Sequence, residues 1–434
     1  MDGKKLLLKG AIMIDPAQDI EERRDILIDD GVVLDISPYI EENKDDFEVI
    51  DLEGKYLAPG MVDLHVHLRE PGEESKETIA SGTAAAVNGG VTSVFCMPNT
   101  VPAIDNSLTL EFVKEKARQA NLARVYPVGA LTKNRAGVEM SNYSSLLSAG
   151  VKAFSDDGSF VNNSMLMLNI FKYLSRFDTI VFSHCEDESL TGEGLVHDGY
   201  YGSILGLAGI PEVSETVAVA RDILLAQASD SRLHISHVSC AGSVEWIRWA
   251  KERGLKVTAE VTPHHLLLTD ETIVSYDPVY KMKPPLRTER DRQALMDALK
   301  DRTIDVIATD HAPHGREDKN GLFREAAFGV ISLDFALSLM ITELVKKNLM
   351  TLKELVYSYS CRPAEIMGLP AGSLRKGSPA DIVVIDMNCQ ETIDEDLFYS
   401  KGRNTPFTGR AIEAKPVMTF VGGDLKMRDG KVKV

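Results

Sequence analysis

Cysteine is scarce in this sequence, and the few cysteines present are spread along the chain. The 434 residues include five, at Cys96, Cys185, Cys240, Cys361 and Cys389. An odd number at such wide spacings indicates neither a disulfide framework nor a zinc site built from thiolates. Cys96 and Cys185 lie in apolar segments, which is typical of small buried residues rather than of nucleophiles.

Long apolar runs are also missing. No stretch approaches the roughly twenty consecutive apolar residues that a membrane-spanning helix needs. The first ten residues, M-D-G-K-K-L-L-L-K-G, become polar too soon for a secretory signal. We therefore expect no membrane partner and a cytoplasmic location.

Basic residues are outnumbered by acidic ones. The 48 lysines and arginines stand against 65 aspartates and glutamates, for a net charge of -17. This excess argues against nucleic acid and anionic membranes as partners. It does not exclude an anionic substrate, because one arginine in a pocket outweighs distant surface charge.

The two ends of the chain share one pattern of short apolar runs separated by turn signals. Residues 1–58 contain several such runs, and the pattern returns at residues 382–385, 417–421 and 431–434. Such runs predict short strands. We expect residues 1–58 and 368–434 to form one small β-sandwich domain built from both termini.

The middle of the chain, residues 59–367, alternates between predicted strands and helices. The strand candidates are residues 62–67, 91–96, 124–130, 151–155, 179–185, 232–237, 256–261 and 304–310. Eight strand-helix units over about three hundred residues predict a (β/α)8 TIM barrel, an α/β fold. The competing architecture, a doubly wound sheet, would carry a Gly-rich phosphate turn after its first strand, and the sequence has none there.

The first barrel strand carries an unusual pair of histidines. In M-V-D-L-H-V-H-L-R-E (residues 61–70), His65 and His67 are two positions apart and therefore project from one face of the strand. A solvated polar face is the plainer interpretation. However, the sequence has only ten histidines, and a buried face of this kind needs a metal or a substrate to satisfy it.

Other predicted strands also end in side chains of the types that can bind metals. These are Asp156 and Asp157 after strand four, His184 after strand five, His237 after strand six, and Asp310, His311 and His314 after strand eight. Active sites of such barrels lie at this end of the strands. Imidazoles and carboxylates without thiolates favour one or two zinc ions, with manganese or cobalt as alternatives. A metal ion so held lowers the pKa of a bound water to about 7 and polarises a carbonyl, which predicts amide hydrolysis or its reverse.

Several short motifs resemble one known family. They are H-V-H-L-R-E-P-G (65–72), M-P-N-T (97–100), F-S-D-D-G (154–158), S-H-C-E-D (183–187), H-V-S (237–239), T-P-H-H-L (262–266) and T-D-H-A-P-H (309–314). Together they are similar to the signatures of class I dihydroorotases, in the amidohydrolase superfamily. The resemblance runs almost end to end, since K-G-S-P-A-D-I-V-V-I-D (376–386) is similar to that superfamily's returning β domain.

The resemblance implies roles for the residues at the strand ends. His65, His67 and Asp310 would bind a first zinc ion, and His184 and His237 would be available to a second. In many relatives a carboxylated lysine on strand four bridges the two metal ions, whereas in this class an aspartate does so. Asp157 matches that aspartate and Asp156 is the alternative.

The resemblance also implies a reaction. Asp310 would act as general base toward metal-bound hydroxide and then as general acid, while Arg69, Asn99 and His314 would hold a substrate carboxylate. The reaction would be the reversible cyclisation of N-carbamoyl-L-aspartate to L-dihydroorotate, a step of pyrimidine biosynthesis. Lys283 stands where the family usually has asparagine, and it would add a cation beside an anionic substrate or crowd the pocket. Residues 332–335, S-L-D-F, replace a common G-L-E-T.

The sequence is also compatible with two other functions. A hydantoinase, dihydropyrimidinase or allantoinase would share the metal and the fold without needing the carboxylate-binding residues. A non-catalytic partner of aspartate transcarbamoylase would typically have lost metal ligands. The resemblance is compatible with a homodimer and with a complex with that transcarbamoylase.

Three further histidines and one loop complete the predictions. His264 and His265 are expected to be structural, orienting neighbours by hydrogen bonds. His234 is expected to face the surrounding helices. Residues 315–321, a charged segment bounded by glycines, are a candidate lid.

Overall fold

The computed structural model describes residues 5–42 and 46–433. The predicted small domain therefore has residues 1–4, 43–45 and 434 outside the described part. Within that part, a barrel of parallel strands surrounded by helices forms the centre of the chain. A second sheet combines strands from both ends.

The barrel strands follow one another around the ring in chain order. They are Met61–Val66, Val91–Cys96, Arg124–Pro127 continued by Gly129–Ala130, Ala153–Ser155, Ile180–Ser183, Leu233–Ile235, Val257–Val261 and Val306–Ile307. Neighbours pair in parallel, and a parallel bridge between Val66 and His311 joins the first strand to the end of the last. The predicted (β/α)8 barrel is confirmed, and the doubly wound alternative is wrong.

Helices separate the strands as predicted. The main ones are Ile79–Asn88, Ser107–Ala120, Tyr143–Ser148, Ser164–Leu174, Val213–Ser229, Ala241–Glu252 and Glu289–Lys300. After the last strand come Ala336–Met340, Leu352–Val356 and Arg362–Met367, the first two continued by π-helical turns Ile341–Val345 and Tyr357–Cys361. Thr78 and Thr288 begin their helices with reciprocal capping contacts. Among the described residues, no helix is both long enough and apolar enough to cross a bilayer.

Short elements occupy the loops that follow the barrel strands. They are the helices Glu188–Thr191, Tyr200–Leu205, Pro263–Leu267 and Arg316–Lys319, the 3₁₀ turns Lys133–Arg135, Asp270–Ser275 and Pro278–Tyr280, and the paired strands Val196–His197 and Gly209–Ile210. Leu195, Val196, Ile273 and Phe323 from three of these loops share a small apolar cluster. The loops therefore pack on one another over the end of the barrel.

Apolar side chains fill much of the interior of the barrel. Val62, Leu64, Phe95, Phe182 and others form a buried cluster contributed by several strands. A second, larger cluster lies between the strands and the surrounding helices. Polar side chains inside the barrel therefore need partners, which are other polar side chains or a ligand.

The second sheet has nine strands in the described residues, from both ends of the chain. They are Lys5–Asp15, Ile20–Asp29, Val32–Ser37, Phe47–Asp51, Tyr56–Pro59, Ile382–Asp386, Lys415–Val421, Asp424–Arg428 and Lys431–Val432. Tyr56–Pro59 pairs with Ile382–Asp386, so the two ends meet in mid-sheet. Ile382 and Val384 belong to the sheet's own core, whereas Val383 and Ile385 join the core of the barrel. The period of two in strand side chains thus lets one sheet serve both cores.

The C-terminal connection between the barrel and the last strands contains the pair Glu391–Thr392 and Ala411–Ile412 and the turn Glu395–Leu397. The turn Pro16–Gln18 connects the first two strands of the terminal sheet. Residues 400–404, inside the C-terminal connection, reach back to the end of the barrel.

Candidate functional site

Six imidazole and carboxylate side chains meet at the carboxyl end of the barrel. Each lies in or just after a barrel strand, and all are at least nine-tenths buried: His65, His67, Asp157, His184, His237 and Asp310. The sequence predicted all six, and the structure brings them together from five different strands.

Asp157 lies at the centre of this cluster. Its Oδ2 is 3.2 Å from His65 Nε2 and 3.5 Å from His67 Nε2. Its Oδ1 is 3.4 Å from His237 Nε2 and 3.6 Å from His184 Nδ1. The carboxylate therefore faces two pairs of imidazoles, one on each side.

Asp310 completes the cluster beside the first pair. Its Oδ1 is 3.0 Å from His67 Nε2 and 3.5 Å from His65 Nε2. Two compact groups of donor atoms result, His65 with His67 and Asp310, and His65 with Asp157 and His237, in each of which the atoms lie within 4.8 Å of one another. Each group offers the number and type of ligands that a divalent metal ion requires.

The hydrogen bonding of the cluster supports this interpretation. His65 Nε2 and Asp157 Oδ1 are buried and have no hydrogen-bond partner. A buried polar atom without a partner costs about 1 to 3 kcal/mol. Because both atoms point into the group of imidazoles and carboxylates, a cation between them would satisfy both, and the residues fit a metal ion.

Electrostatics also favour positive charge here. Burial alone would lower the pKa of His65, but the carboxylates of Asp157 and Glu260 hold it well above its ordinary value. Burial would likewise lower the pKa of His184, whereas Asp157 and Glu186 raise it to about 9. The surrounding acids thus create a field that a proton or a metal cation satisfies.

The same field keeps the acids ionised. Burial would raise the pKa of Asp310, yet His65 and His67 hold it well below its usual range. A carboxylate that stays ionised at neutral pH is available as a ligand and as a base.

Asp156 and Asp157 are separated by the structure. Asp156 accepts a hydrogen bond from the backbone N–H of Thr132 at 3.0 Å and another from its hydroxyl. Asp157 points into the imidazole cluster instead. Adjacent residues at a strand end point to opposite sides, and the alternation places Asp157 inside.

The backbone turns sharply where three site residues leave their strands. Arg69, His237 and Asp310 have φ values of 60°, 34° and 47°, in the left-handed region that residues other than glycine seldom adopt. Such conformations persist where surrounding contacts hold them, often at functional sites.

Glu260 is a site residue that sequence reasoning missed. It is fully buried in the strand Val257–Val261, with Oε1 at 2.6 Å from His65 Nδ1 and Oε2 at 3.1 Å from His234 Nε2. Burial would raise its pKa, but His65 and His234 lower it to about 2. Glu260 therefore orients the ring of His65 as an ionised partner. The sequence feature that could have indicated Glu260 is an acidic residue inside a predicted buried strand, V-T-A-E-V (257–261).

The expectation that His234 faces the surrounding helices is wrong. Its ring lies 4.7 Å from that of Phe182, which belongs to the cluster inside the barrel, and its Nδ1 is 2.8 Å from Thr258 Oγ1. The neighbours Leu233 and Ile235 face the helices instead. Spacing from His237 misled the prediction, because the chain turns at His237 after the strand has ended.

Arg69, Asn99 and His314 lie in the loops beside the cluster. Arg69 Nε donates to Pro313 O at 3.1 Å, and its guanidinium approaches His314 Nε2 at 3.4 Å. His314 Nε2 is 2.8 Å from Phe328 O and donates to it. Asn99 Oδ1 is 2.8 Å from His67 Nδ1. These contacts place a guanidinium, an imidazole and an amide next to the cluster of histidines and aspartates.

Lys283 reaches the other side of the cluster. Its ammonium is 3.1 Å from Glu186 Oε1, and Glu186 Oε2 is 2.9 Å from His184 Nε2. About a third of the Lys283 side chain is exposed. The lysine thus places its charge at the mouth of the barrel, two contacts away from the imidazole of His184.

The remaining predicted residues have structural contacts. His265 lies between Thr262 Oγ1 at 2.8 Å and Pro284 O at 3.1 Å, and both it and His264 are buried. In the candidate lid, Lys319 is buried and donates to Pro278 O and Lys281 O at 3.0 and 2.9 Å. The movement of this loop stays a prediction.

A (β/α)8 barrel with buried histidines and aspartates at these strand ends defines a metal-dependent amidohydrolase, and comparisons with known proteins agree. A family model described as dihydro-orotase-like matches residues 54–243. The dihydroorotase of Pelotomaculum thermopropionicum is 46% identical over 429 residues, covering 99% of this chain and 100% of that protein. The dihydroorotase of Thermoanaerobacter sp. is 46% identical, covering 98% of this chain and 97% of its own.

Solved structures show the same architecture. An L-hydantoinase from Arthrobacter aurescens superposes with a TM-score of 0.89 at 26% identity, covering 99% of this chain and 97% of its own. A dihydropyrimidinase from Brevibacillus agri superposes with a TM-score of 0.86 at 24% sequence identity, covering 99% of this chain and 96% of its own. The chain belongs to the dihydroorotase family.

Proposed function

We propose that this protein is a dihydroorotase that interconverts N-carbamoyl-L-aspartate and L-dihydroorotate in pyrimidine biosynthesis. The observation that carries this proposal is the buried guanidinium of Arg69, which lies 3.4 Å from the ring of His314 and close enough to Asp310 and Asp157 to interact with their charges. A planar guanidinium next to an imidazole suits a carboxylate. Among cyclic amides, dihydroorotate carries such a carboxylate on its ring.

In this proposal three loop residues hold the substrate and Asp310 transfers the proton. Arg69, Asn99 and His314 bind the carboxylate and thereby align the ring amide with the cluster. In hydrolysis, the oxygen of water adds to the amide carbon and the C–N bond breaks. Asp310 accepts a proton from that water and returns one to the departing nitrogen; cyclisation reverses these steps.

We propose that one or two Zn²⁺ ions occupy the cluster. His65, His67 and Asp310 would hold the first, His184 and His237 the second, with Asp157 between them. A bound ion lowers the pKa of a coordinated water and polarises a carbonyl. The donor group of His65, His67 and Asp310 supports the first assignment, and the group of His65, Asp157 and His237 supports Asp157 and His237 as ligands of the second ion. His184 is assigned to the second ion because its Nδ1 lies 2.9 Å from His237 Nε2.

Lys283 belongs to the same proposal as a substrate-binding residue. Its ammonium is held at the mouth by Glu186, and a second cation there would attract the dianionic N-carbamoyl-L-aspartate. We also propose that residues 59–367 form the catalytic domain and residues 1–58 with 368–434 the β domain. A cytoplasmic location accords with the proposed pathway.

Comparing substrates tests the proposed function. The ratio kcat/KM should be highest for L-dihydroorotate and far lower for dihydrouracil, hydantoin and allantoin, which lack the ring carboxylate. Faster turnover of the neutral rings would instead identify an allantoinase, or a hydantoinase or dihydropyrimidinase like the two structural neighbours.

A non-catalytic role is the second alternative. A purified chain with less than one equivalent of zinc and no activity alone would favour a structural partner of aspartate transcarbamoylase. The complete set of buried donors in the cluster supports the enzyme. Sedimentation of the chain alone and mixed with the transcarbamoylase would test the homodimer and the complex.

A further inference from the structure

Residues 400–404, which follow the barrel by more than thirty positions, lie against the loop that carries His314. Asn404 is at the centre of this contact and is only 3% exposed. Its side chain touches the backbone of two facing segments, residues 312–314 and residue 329. A distant part of the chain is therefore built into the substrate side of the site.

All the polar atoms of the Asn404 side chain are used in this contact. Oδ1 accepts from the backbone N–H of His314 at 3.0 Å. Nδ2 donates to Ala312 O at 2.9 Å and to Gly329 O at 3.1 Å. Because one amide group binds both segments, it fixes the distance between them as well as the direction of His314.

The two segments approach each other closely. Gly329 has a φ of 143°, and a Cβ there would lie 2.9 Å from Ala312 O and 3.0 Å from His314 Cδ2. The same segment provides Phe328 O, to which His314 Nε2 donates at 2.8 Å. The ring of His314 is thus held against the segment that Asn404 ties to its backbone.

Neighbours of Asn404 extend the contact toward Asp310. Ser400 Oγ donates to Glu77 Oε2 at 2.5 Å, and the backbone N–H of Lys401 donates to Glu77 Oε1 at 3.2 Å. Glu77 Oε2 is 3.3 Å from His311 Nε2. Residues 400–404 therefore support the whole loop from residue 311 to residue 314.

We propose that Asn404 is a positioning residue for carboxylate recognition: it holds His314 beside Arg69 so that both side chains engage the substrate carboxylate. This inference rests on the proposed function for the identity of the ligand. The contact itself rests on the hydrogen bonds of Asn404. Asn404 does not touch the proposed metal ligands, so its effect is expected on substrate binding.

Steady-state kinetics with L-dihydroorotate test the proposal. Asn404→Ala should raise KM about tenfold and leave kcat within about twofold, because a displaced binding group weakens recognition without removing the base. In a His314→Ala background the same substitution should add no further rise, since Asn404 acts through His314. Additive effects of the two substitutions, or an unchanged KM in a folded variant, would overturn the proposal.

Thr405→Ala is the matched control. Thr405 is the adjacent residue, equally buried at 4%, and its hydroxyl accepts from Phe407 N rather than from the 311–314 loop. It should leave KM unchanged, and a rise equal to that of Asn404→Ala would assign the effect to general loosening of the segment. Should Asn404→Ala fail to fold, Asn404→Asp takes its place in the same cycle. It keeps the acceptor for His314 N but loses the donors to Ala312 O and Gly329 O, so the two segments should separate and KM should still rise.

Hydrogen exchange separates this proposal from the proposed function. A wild-type enzyme that does not turn over dihydroorotate would overturn the function alone. The positioning is then measured without substrate, as amide protection of the peptide covering residues 311–316. Asn404→Ala should reduce that protection at least about tenfold while the zinc content stays unchanged, and equal protection in the two proteins would overturn the positioning role.

Discussion

The site has two halves that the fold supports in different ways. The proposed metal ligands lie at the ends of barrel strands, where parallel pairing with both neighbours fixes the backbone. Arg69, Asn99 and His314 lie in loops, and their positions depend on single contacts such as those to Pro313 O and Asn404. The strand half is held by the architecture, whereas the loop half is held by particular residues.

This difference predicts different consequences of substitution. Changes in the strand half should remove chemistry or metal and leave the fold intact, because the sheet persists without them. Changes in the loop half should weaken substrate binding, because the loops have fewer ways to keep their geometry. The four predictions that follow test this division.

Asp310→Asn should have the largest effect. It replaces the proposed proton acceptor by an amide of nearly equal volume, so kcat for dihydroorotate should fall about 10³-fold or more while the circular dichroism spectrum is preserved. Asp156→Asn is the control, since Asp156 contacts Thr132 outside the cluster, and it should keep most of the activity. Retention of more than a tenth of wild-type kcat by Asp310→Asn would contradict the assigned role.

Arg69→Ala should act mainly on KM. Loss of the buried guanidinium proposed to bind the substrate carboxylate should raise KM for dihydroorotate about 10²-fold, with a smaller change in kcat. Arg69→Lys should recover only part of the loss, because an ammonium lacks the planar pair of donors. An unchanged KM would refute the assignment and leave the loop half without its main binding group.

Glu260→Gln should weaken metal binding about 10- to 100-fold without changing a proposed ligand, because it removes the charge that orients His65. Competition with a chelator, measured as zinc retained, provides the readout. Glu215→Gln is the control: Glu215 is also a buried glutamate, but it accepts from Ser239. Equal zinc retention in the two variants would show that Glu260 has no special role.

Lys319, in the loop that follows His314, should make the stability of the protein depend on pH. Burial and the nearby Lys281 lower the pKa of Lys319 from 10.5 to about 7. Between these values the unfolded chain binds more protons than the folded one, so the contribution of Lys319 to stability rises with pH.

The stability of wild type relative to Lys319→Met should therefore increase by about 3 kcal/mol between pH 7 and pH 9.5. Thermal unfolding of both proteins at each pH measures this difference. Zinc retention should show no corresponding change, because Lys319 lies outside the strand half. A difference in stability that is independent of pH would contradict the shifted pKa.

Local sequence patterns were sufficient for the architecture. Apolar runs and turn signals predicted each barrel strand within about three residues, because strand formation depends on neighbours in the chain. The histidine pair at 65 and 67 and the strand-end acids followed from the same patterns. Once the strands were placed, the convergence of those side chains followed from the rule that barrel strands end at one face.

Long-range contacts were beyond reach of such patterns. The choice of Asp157 over Asp156, the contact of Glu260 with His65 and the inward direction of His234 all depend on how separate strands align. The ion pair of Lys283 with Glu186 and the contact of Asn404 with His314 join residues that are about 90 to 100 positions apart. Nothing in either local segment indicates its partner.

The sequence by itself determined the order of strands and helices and the chemical type of the site, because these depend on residue identity and short-range periodicity. Only the tertiary structure decided which side chains face one another and which residues hold in place the loops that carry Arg69, Asn99 and His314. Those contacts are set by distances and directions of a few ångströms between segments remote in the chain. Hydrogen bonds and ion pairs form only once the fold has fixed that geometry.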